Sequence, residues 1–152
     1  MIQFHHTAIS TGNLDRAVAF YRDLFGFTVA TAFSWPAGSE VTDQIMNLTG
    51  SAGRAAMLRK DNAMIELFEF SSPPPQPGNP HRPVCDHGLT HICFHVADIT
   101  TEYERLQAAG MTFHCAPQRI GPTEWATYGR DPDGNVVELI QIGNPKHPMA
   151  LR

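Results

Sequence analysis

The sequence contains the same order of elements twice, and this internal repeat constrains the fold more than any other feature. Each half is predicted to run strand, helix and then three strands. The segments are QFHHTAIST, NLDRAVAFYRDLFGF, FTVATAFSW, GRAAMLRKD and NAMIELFEF, followed by LTHICFHVA, DITTEYERLQAAGM, MTFHCAPQ, EWATYGRD and NVVELIQIG. In the first helical segment apolar residues recur three and four apart, as on one face of a helix. Twenty residues separate His6 from Gly26 and 19 separate His91 from Gly110, so the two halves are in phase.

The ends of the predicted elements carry their own signals. Asn13 and Asp98 are suited to cap the two helices, and Gly26 and Gly110 are suited to end them. The tripeptide KDN and the segment DPDGN are predicted to be tight turns between strands. The pattern predicts an α+β fold made of two β-α-β-β-β modules.

The proposed domain organisation is a single domain over residues 1–152. Residues 1–71 form the first module, 72–87 a linker, 88–143 the second module and 144–152 a tail. The segment SSPPPQPGNPHRPVCDHG holds six of the twelve prolines and is typical of an exposed, partly stiff connection. Residues 35–50 lengthen the first half. They are predicted to be either a lid or wall of a binding site or a surface excursion packed through Ile45, Met46 and Leu48.

Composition excludes several classes of function. The sequence has no run of 18 apolar residues and no basic segment leading into an apolar one, so neither a membrane span nor a signal peptide is expected. The net charge of −4 argues against a nucleic-acid partner. Three cysteines without C-x-x-C spacing suit neither a disulfide framework nor a structural zinc site, so a reducing cytoplasm is expected.

Two histidines and two glutamates occupy matching positions of the repeat. His6 matches His91, and Glu66 matches Glu138. Each glutamate lies among apolar neighbours in a predicted strand, and burial of an unpaired carboxylate costs several kcal/mol. Strand alternation predicts that His5 and His6 point to opposite faces, so only one of them is expected in the site. Imidazole and carboxylate groups together are typical ligands of divalent transition metals.

The segments LDRAVAFYRDLFGF and DPDGNVVEL extend this interpretation, because the chain resembles the vicinal oxygen chelate superfamily over almost its whole length. That superfamily includes glyoxalase I, methylmalonyl-CoA epimerase, extradiol dioxygenases and bleomycin resistance proteins. The resemblance implies a cupped, eight-stranded mixed sheet around one divalent ion, which is Zn, Ni, Co, Mn or Fe. It also implies a homodimer. The ligands implied by the resemblance are His6, Glu66, His91 and Glu138.

The function implied by the resemblance is that of a metal-dependent lyase, isomerase or epimerase, either glyoxalase I-like or epimerase-like. Such an enzyme takes a proton from a small substrate with vicinal oxygens and stabilises the resulting enolate with the metal. Glu138 is the first candidate for the base and Glu66 the second. A glutamate at position 66 is similar to glyoxalase I and to some cyclitol epimerases, whereas extradiol enzymes usually lack a fourth protein ligand there.

Two alternative functions stay open at this point. One is an extradiol-type dioxygenase using Fe(II) or Mn(II), and the other is a small-molecule binding protein of the bleomycin-resistance type. For any of them the substrate pocket is expected to include aromatic and basic side chains. The candidates are Trp35, Phe68, Phe70, Arg119, Trp125 and Tyr128, and either Arg119 or Arg59 is available to hold an anionic group.

Overall fold

The computed structural model describes residues 1–151, and the first of its two compact units is Met1–Gly78. This unit contains a four-stranded sheet and two α-helices. Its elements are β1 (Thr7–Ser10), α1 (Leu14–Ala19), β2 (Thr28–Trp35), α2 (Glu40–Met46), β3 (Ala52–Lys60) and β4 (Ala63–Ser72). The strand order is β1-β4-β3-β2, with β1 parallel to β4 and the other pairs antiparallel. A π-helical turn, Phe20–Leu24, continues α1.

The second unit begins at Asn79 and repeats this arrangement. Its elements are β5 (Ile92–His95), α3 (Ile99–Ala108), β6 (Thr112–Phe113), β7 (Gln118–Arg119), β8 (Glu124–Arg130) and β9 (Val136–Ile142). The order of this five-stranded sheet is β5-β9-β8-β6, and β7 also pairs with β8. The predicted α+β class is confirmed.

The two sheets share the same register. In the first, Ala8 of β1 is the parallel partner of Glu66 on β4. In the second, Cys93 of β5 is the parallel partner of Glu138 on β9. The repeat therefore extends from the order of the elements to the pairing of individual residues.

Both predicted helix caps are present. The Asn13 side chain accepts a hydrogen bond from the Arg16 amide at 3.0 Å. The Asp98 side chain accepts from the Thr100 and Thr101 amides, each at 3.1 Å. These bonds satisfy amide groups that have no partner inside the helix, so each helix begins where its sequence predicts.

A second contact ties each helix to the strand that carries the glutamate. The Leu14 amide of α1 donates to Glu69 Oε2 at 2.6 Å, and the Ile99 amide of α3 donates to Gln141 Oε1 at 2.9 Å. Glu69 and Gln141 each lie three positions after a matching glutamate. Neighbouring strand residues point to opposite sides of a sheet, so residues three positions apart do as well. Glu69 and Gln141 point to the side on which the helices lie, because they bond to the helix amides. Each glutamate at 66 or 138 therefore lies on the opposite side.

Strands β1 and β5 are shorter than expected. The segment QFHHTAIST is in strand only from Thr7, so His5 and His6 precede β1. Thr7 pairs with Ile65, and β4 begins only two residues earlier, at Ala63, so little strand remains to pair with residues upstream. Strand alternation therefore does not govern the two histidines, and the expectation that they face opposite ways loses its basis.

The predicted strand MTFHCAPQ is two short strands, β6 and β7, on either side of His114–Pro117. Pro117 has no amide to donate to a ladder, and the Cys115 carbonyl accepts the Thr127 hydroxyl at 2.6 Å. The ladder to β8 is therefore interrupted at this edge of the sheet.

The segment 35–50 contains α2, which the sequence did not predict. The Asp43 carboxylate fixes the end of this segment by accepting hydrogen bonds from the Gly50 and Ser51 amides at 2.7 and 2.8 Å. Ile45 is 79% exposed, so the expectation that it anchors the segment by packing is wrong.

The linker is fixed to the second unit over its later residues. The Arg82 guanidinium donates to the Leu89 carbonyl at 2.6 Å, and the Arg82 carbonyl accepts from Arg130 at 2.9 Å. Arg152, the last residue of the predicted tail, lies outside the described residues. Within residues 1–151 no helix is both long and apolar enough to cross a membrane.

Candidate functional site

His6 and Glu66 form a close pair in the first unit. His6 directly precedes β1 and Glu66 lies near the middle of β4, and the Nε2 to Oε2 distance is 3.1 Å. The Glu66 side chain is only 14% exposed. A carboxylate this deeply buried requires a partner that offsets the cost of removing it from water.

His91 and Glu138 form the equivalent pair in the second unit. His91 directly precedes β5, and its Nε2 lies 2.9 Å from Glu138 Oε2. The Glu138 side chain is 12% exposed. The four residues singled out in the sequence therefore come together as two matching pairs.

Both pairs fit a divalent cation. Two ligand atoms about 2.1 Å from one ion, at about a right angle, are about 3 Å apart, as the nitrogen and oxygen atoms of each pair are. Imidazole nitrogen and carboxylate oxygen also suit zinc, manganese, iron, cobalt and nickel. Among residues 1–151 no cluster of three or more His, Cys, Asp or Glu side chains suited to a metal ion is present, so each pair is a two-donor unit.

The second nitrogen of each histidine has a different environment. His6 Nδ1 lies 2.7 Å from His5 Nδ1, and the two rings meet edge to face with centroids 5.0 Å apart. His5 is thus a direct neighbour of the His6–Glu66 pair, although only one of the two histidines was expected in the site. His91 Nδ1 is buried and has no hydrogen-bond partner.

The surroundings of Glu66 are apolar and aromatic. Its cross-strand partners are Ala8 and Met57. Further along the same face, Trp35 packs against Phe68 and Phe70, with ring centroids 6.0 and 5.6 Å away. Trp35 is buried, and its indole nitrogen donates to the Ser51 hydroxyl at 3.2 Å. The three aromatic pocket candidates of the first half therefore do lie on the face that carries Glu66.

The surroundings of Glu138 are polar. Its cross-strand partners are Cys93 and Tyr128, and the Tyr128 ring lies against His91 with centroids 5.1 Å apart. Cys93 is exposed as a residue, yet partial removal of its thiol from water, followed by the charge of Glu138 and a hydrogen bond with that carboxylate, raises the pKa of the thiol to about 12. Burial, followed by the charges of Glu138 and Cys93, raises the pKa of Tyr128. Both groups are therefore protonated at neutral pH and available as donors near Glu138.

His114 extends this polar set, and the sequence interpretation missed it. Its Nε2 accepts from Arg130 Nε at 3.1 Å, and its ring lies edge to face with Tyr128 at 6.3 Å. Burial and then the Arg130 charge lower the pKa of His114. The His114 amide donates to the Tyr128 carbonyl, and this pairing places the two residues side by side. Strand pairing, which the sequence does not specify, is therefore the feature that identifies His114.

Arg119 and Trp125 are not brought to this face. Trp125 pairs with Gln141 and Arg119 pairs with Trp125, whereas Tyr128 pairs with Glu138. Because Trp125 and Tyr128 are three residues apart in one strand, their side chains point to opposite sides of the sheet. The Arg119 guanidinium also donates to the Gly121 carbonyl at 3.0 Å. Arg59 contacts the Met64 sulfur at 3.9 Å.

The chain is similar in sequence and in fold to several known proteins. The chain is 32% identical over 149 residues to a 2-epi-5-epi-valiolone epimerase of Actinomyces, covering 93% of this chain and 80% of the relative. It is 29% identical over 144 residues to a probable lactoylglutathione lyase of Synechocystis, covering 93% and 96%. The fold matches a glyoxalase family protein from Bacillus cereus with a TM-score of 0.84 at 21% identity, over 94% of this chain and 96% of that one.

The family itself follows from a match that spans most of the sequence. Residues 3–139 fit the model of the glyoxalase/bleomycin resistance protein/dioxygenase superfamily, and this range includes all four residues of the two His–Glu pairs. The chain belongs to this superfamily.

Proposed function

We propose that the protein is a divalent-metal-dependent lyase or isomerase that moves a proton on a small substrate with vicinal oxygens. The observation that carries the proposal is the duplicated His–Glu pair, with the same residue types, the same register and nearly the same Nε2 to Oε2 distance in both units. A single His–Glu pair beside a strand is common in proteins. Its repetition at matching positions, around two carboxylates with little exposure, supports a shared role for the pairs as metal ligands.

Each pair offers two ligands, and a catalytic divalent ion in a protein site usually takes three or more from the chain. We therefore propose that His6, Glu66, His91 and Glu138 together hold one ion. The two pairs come from one chain or from the two chains of a homodimer, and the same four residues serve in either case. The small accessible fraction of both glutamates supports this role, because a cation offsets the cost of burying their charge.

When bound, the ion supplies positive charge that lowers the cost of negative charge on a substrate oxygen. The chain itself supplies the base. Glu138 is our first candidate, with Cys93 and Tyr128 as its cross-strand neighbours. Glu66 is the second candidate, in an apolar setting of Ala8 and Met57. Phe68 and Phe70, which pack against the buried Trp35, offer an apolar surface for the rest of the substrate.

The relatives support proton-transfer chemistry over oxygen chemistry, because one is an epimerase and another is a probable lyase. The 32% identity is too low to carry over the substrate of the Actinomyces enzyme. The proposal is therefore limited to a substrate with two neighbouring oxygens and an acidic C–H bond.

The experiment that tests the proposal is measurement of metal content by mass spectrometry after incubation with zinc, nickel, cobalt or manganese. The wild-type protein should hold about one ion per chain. Because all four ligands serve one ion, His91→Ala and Glu66→Gln should each remove nearly all the metal. His95→Ala is the matched control, since His95 is an exposed histidine on β5. Variants that each retain half the metal would mean two separate sites.

The metal-loaded protein is then screened with α-hydroxy and α-keto carbonyl compounds in heavy water, where deuterium uptake at carbon reports proton abstraction. Glu138→Gln should abolish uptake while the circular dichroism spectrum stays unchanged. Full uptake in that variant would exclude Glu138 as the base. A wild-type protein that takes up none of the four metals would contradict the proposal and favour a metal-free binding protein.

A further inference from the structure

We propose that His5 is a positioning residue that fixes which nitrogen of His6 carries the proton. The proposal rests on the proposed role of His6 as a metal ligand and assigns a task to its neighbour in the sequence. The observation behind it is the 2.7 Å distance between the two Nδ1 atoms. Two nitrogen atoms this close share one hydrogen bond.

That hydrogen bond couples the two rings. A neutral imidazole carries a proton on one nitrogen and a lone pair on the other. When one Nδ1 donates to the other, the donor ring is protonated at Nδ1 and the acceptor ring at Nε2. The tautomer of His5 therefore dictates the tautomer of His6, and the reverse.

Two arrangements follow from this coupling. In the first, His6 Nε2 carries a proton and donates it to Glu66 Oε2, 3.1 Å away, while His6 Nδ1 accepts from His5. In the second, His6 Nδ1 donates to His5 Nδ1, and His6 Nε2 presents a lone pair beside the Glu66 carboxylate. Only the second arrangement gives His6 Nε2 the lone pair that binds a cation beside Glu66.

The change between them balances in protons. The His6 Nε2 proton leaves to water, the shared proton passes from His5 Nδ1 to His6 Nδ1, and His5 Nε2 takes up a proton from water. His5 is an exposed residue, so its ring has access to water for this exchange. The two rings hold the same number of protons before and after. In both arrangements the Nδ1–Nδ1 hydrogen bond is kept.

The second unit provides an internal contrast. His91 faces Glu138 through Nε2 at 2.9 Å, as His6 faces Glu66, but its Nδ1 is buried without a partner. Ligand histidines are commonly oriented by an acceptor on their second nitrogen, and loss of that acceptor typically weakens metal binding by about 10–100-fold. Of the two histidines, His6 has such a partner in the structure, and that partner is His5.

The test uses the full-length protein with histidines labelled with nitrogen-15, at about pH 8.5, where an ordinary histidine is neutral. Long-range nitrogen–proton spectra report the tautomer of each ring, with and without zinc. Without metal, we expect His6 protonated at Nε2 and His5 at Nδ1. With zinc, both rings should change tautomer. Zinc affinity is measured in parallel by competition with a chelator.

Three variants separate positioning from a purely structural effect. His5→Ala should leave His6 a mixture of tautomers and weaken zinc binding by about 10–100-fold. His5→Asn should restore most of the affinity, because its side-chain amide can donate or accept. His95→Ala, an exposed histidine in the other unit, should change neither readout. Backbone amide spectra confirm that each variant is folded.

The outcomes distinguish this inference from the proposed function. If wild-type protein binds zinc and His5→Ala binds it equally well with an unchanged His6 tautomer, the role of His5 is excluded while the metal site stands. If wild-type protein binds no zinc, the proposed function fails, and the metal-free spectra still decide the coupling. An unchanged His6 tautomer in His5→Ala would then overturn it, and a mixed tautomer would support it.

Discussion

At the scale of single residues, the two halves differ most around the equivalent glutamates. Glu66 is flanked by Ala8 and Met57, whereas Glu138 is flanked by Cys93 and Tyr128. The carboxylates are matched in position and similar in exposure, but Ala8 and Met57 have no side-chain donor for Glu66, whereas the Cys93 thiol shares a hydrogen bond with Glu138. The register repeats while the chemistry beside it does not.

This difference predicts slow alkylation of Cys93. At about pH 8.5 a thiol with a pKa of about 12 is almost wholly protonated, whereas an ordinary thiol is about half ionised. After allowance for the greater reactivity of a more basic thiolate, iodoacetamide should modify Cys93 more than about tenfold more slowly than Cys85 or Cys115. Mass spectrometry of peptides from the metal-free protein measures the three rates.

Glu138→Gln provides the matched control for that rate. It removes the negative charge that helps to raise the pKa of Cys93, so alkylation of Cys93 should become faster while Cys85 and Cys115 are unaffected. Equal rates at all three cysteines of the wild-type protein would contradict the contact between the thiol and the carboxylate.

The matching positions of His6, Glu66, His91 and Glu138 were visible without coordinates, because they follow from the repeat, and the structure brings the four residues together as two pairs. Their role as ligands stays a prediction. The sequence was not sufficient to identify their neighbours. The contact of His5 depends on where β1 begins, and the contacts of Cys93, Tyr128 and His114 depend on strand register, which long-range pairing decides. Strand register also explains why Trp125 and Arg119 do not lie beside Tyr128. Trp125 is three residues from Tyr128 in β8 and so points to the opposite side of the sheet, and Arg119 pairs with Trp125.

At the scale of elements, one side chain on each strand that carries a matching glutamate accepts a hydrogen bond from the first amide of α1 or α3. Glu69 accepts the first amide of α1 and also binds Arg54 at 2.9 Å, and Gln141 accepts the first amide of α3. Helix position and glutamate position are thereby linked through a single strand in each unit. Helix starts, helix ends and turns were predictable because they depend on local sequence, whereas these ties were not.

The ties predict unequal losses of stability. Glu69→Ala removes a charged acceptor and should lower the free energy of unfolding by about 1.5–3 kcal/mol, whereas Gln141→Ala removes a neutral one and should cost about 0.5–1.5 kcal/mol. Urea unfolding followed by circular dichroism measures both. Glu69→Gln keeps an acceptor for the Leu14 amide but loses the charge beside Arg54. Its loss of unfolding free energy should lie between the losses caused by Glu69→Ala and Gln141→Ala. Equal losses of stability in Glu69→Ala and Gln141→Ala would indicate that the negative charge of Glu69 contributes nothing.

At the scale of the whole molecule, the linker is not uniform. The chain divides into its two compact units after Gly78, so the later linker residues belong with the second unit. Arg130 holds the Arg82 carbonyl, and Pro80 lies against the DPDGN turn at Gly134. Proline content predicted a stiff, exposed connection, but it could not indicate which end is anchored, because that depends on a turn far along the chain.

Gly134→Ala tests this anchor. Gly134 has a φ of +89°, and a Cβ added there would lie 2.3 Å from Pro80 Cα, so alanine is disfavoured by both conformation and space. We expect a loss of about 1–3 kcal/mol in stability and faster proteolysis within residues 79–87. Gly78→Ala is the control, since a Cβ added there would meet nothing within 4 Å and its φ is not positive. Unchanged proteolysis in Gly134→Ala would show that the contact with Pro80 does not hold the linker.

The shared register makes the two strands that carry Glu66 and Glu138 directly comparable for protein engineering. Because Ala8 and Met57 occupy the places of Cys93 and Tyr128, the double substitution Cys93→Ala and Tyr128→Met gives both carboxylates the same immediate neighbours on either side. In such a symmetrised protein, any remaining difference in behaviour between Glu66 and Glu138 has to originate beyond those neighbours. Each half of the repeat thus supplies a reference state for the other, against which their differences can be measured one substitution at a time.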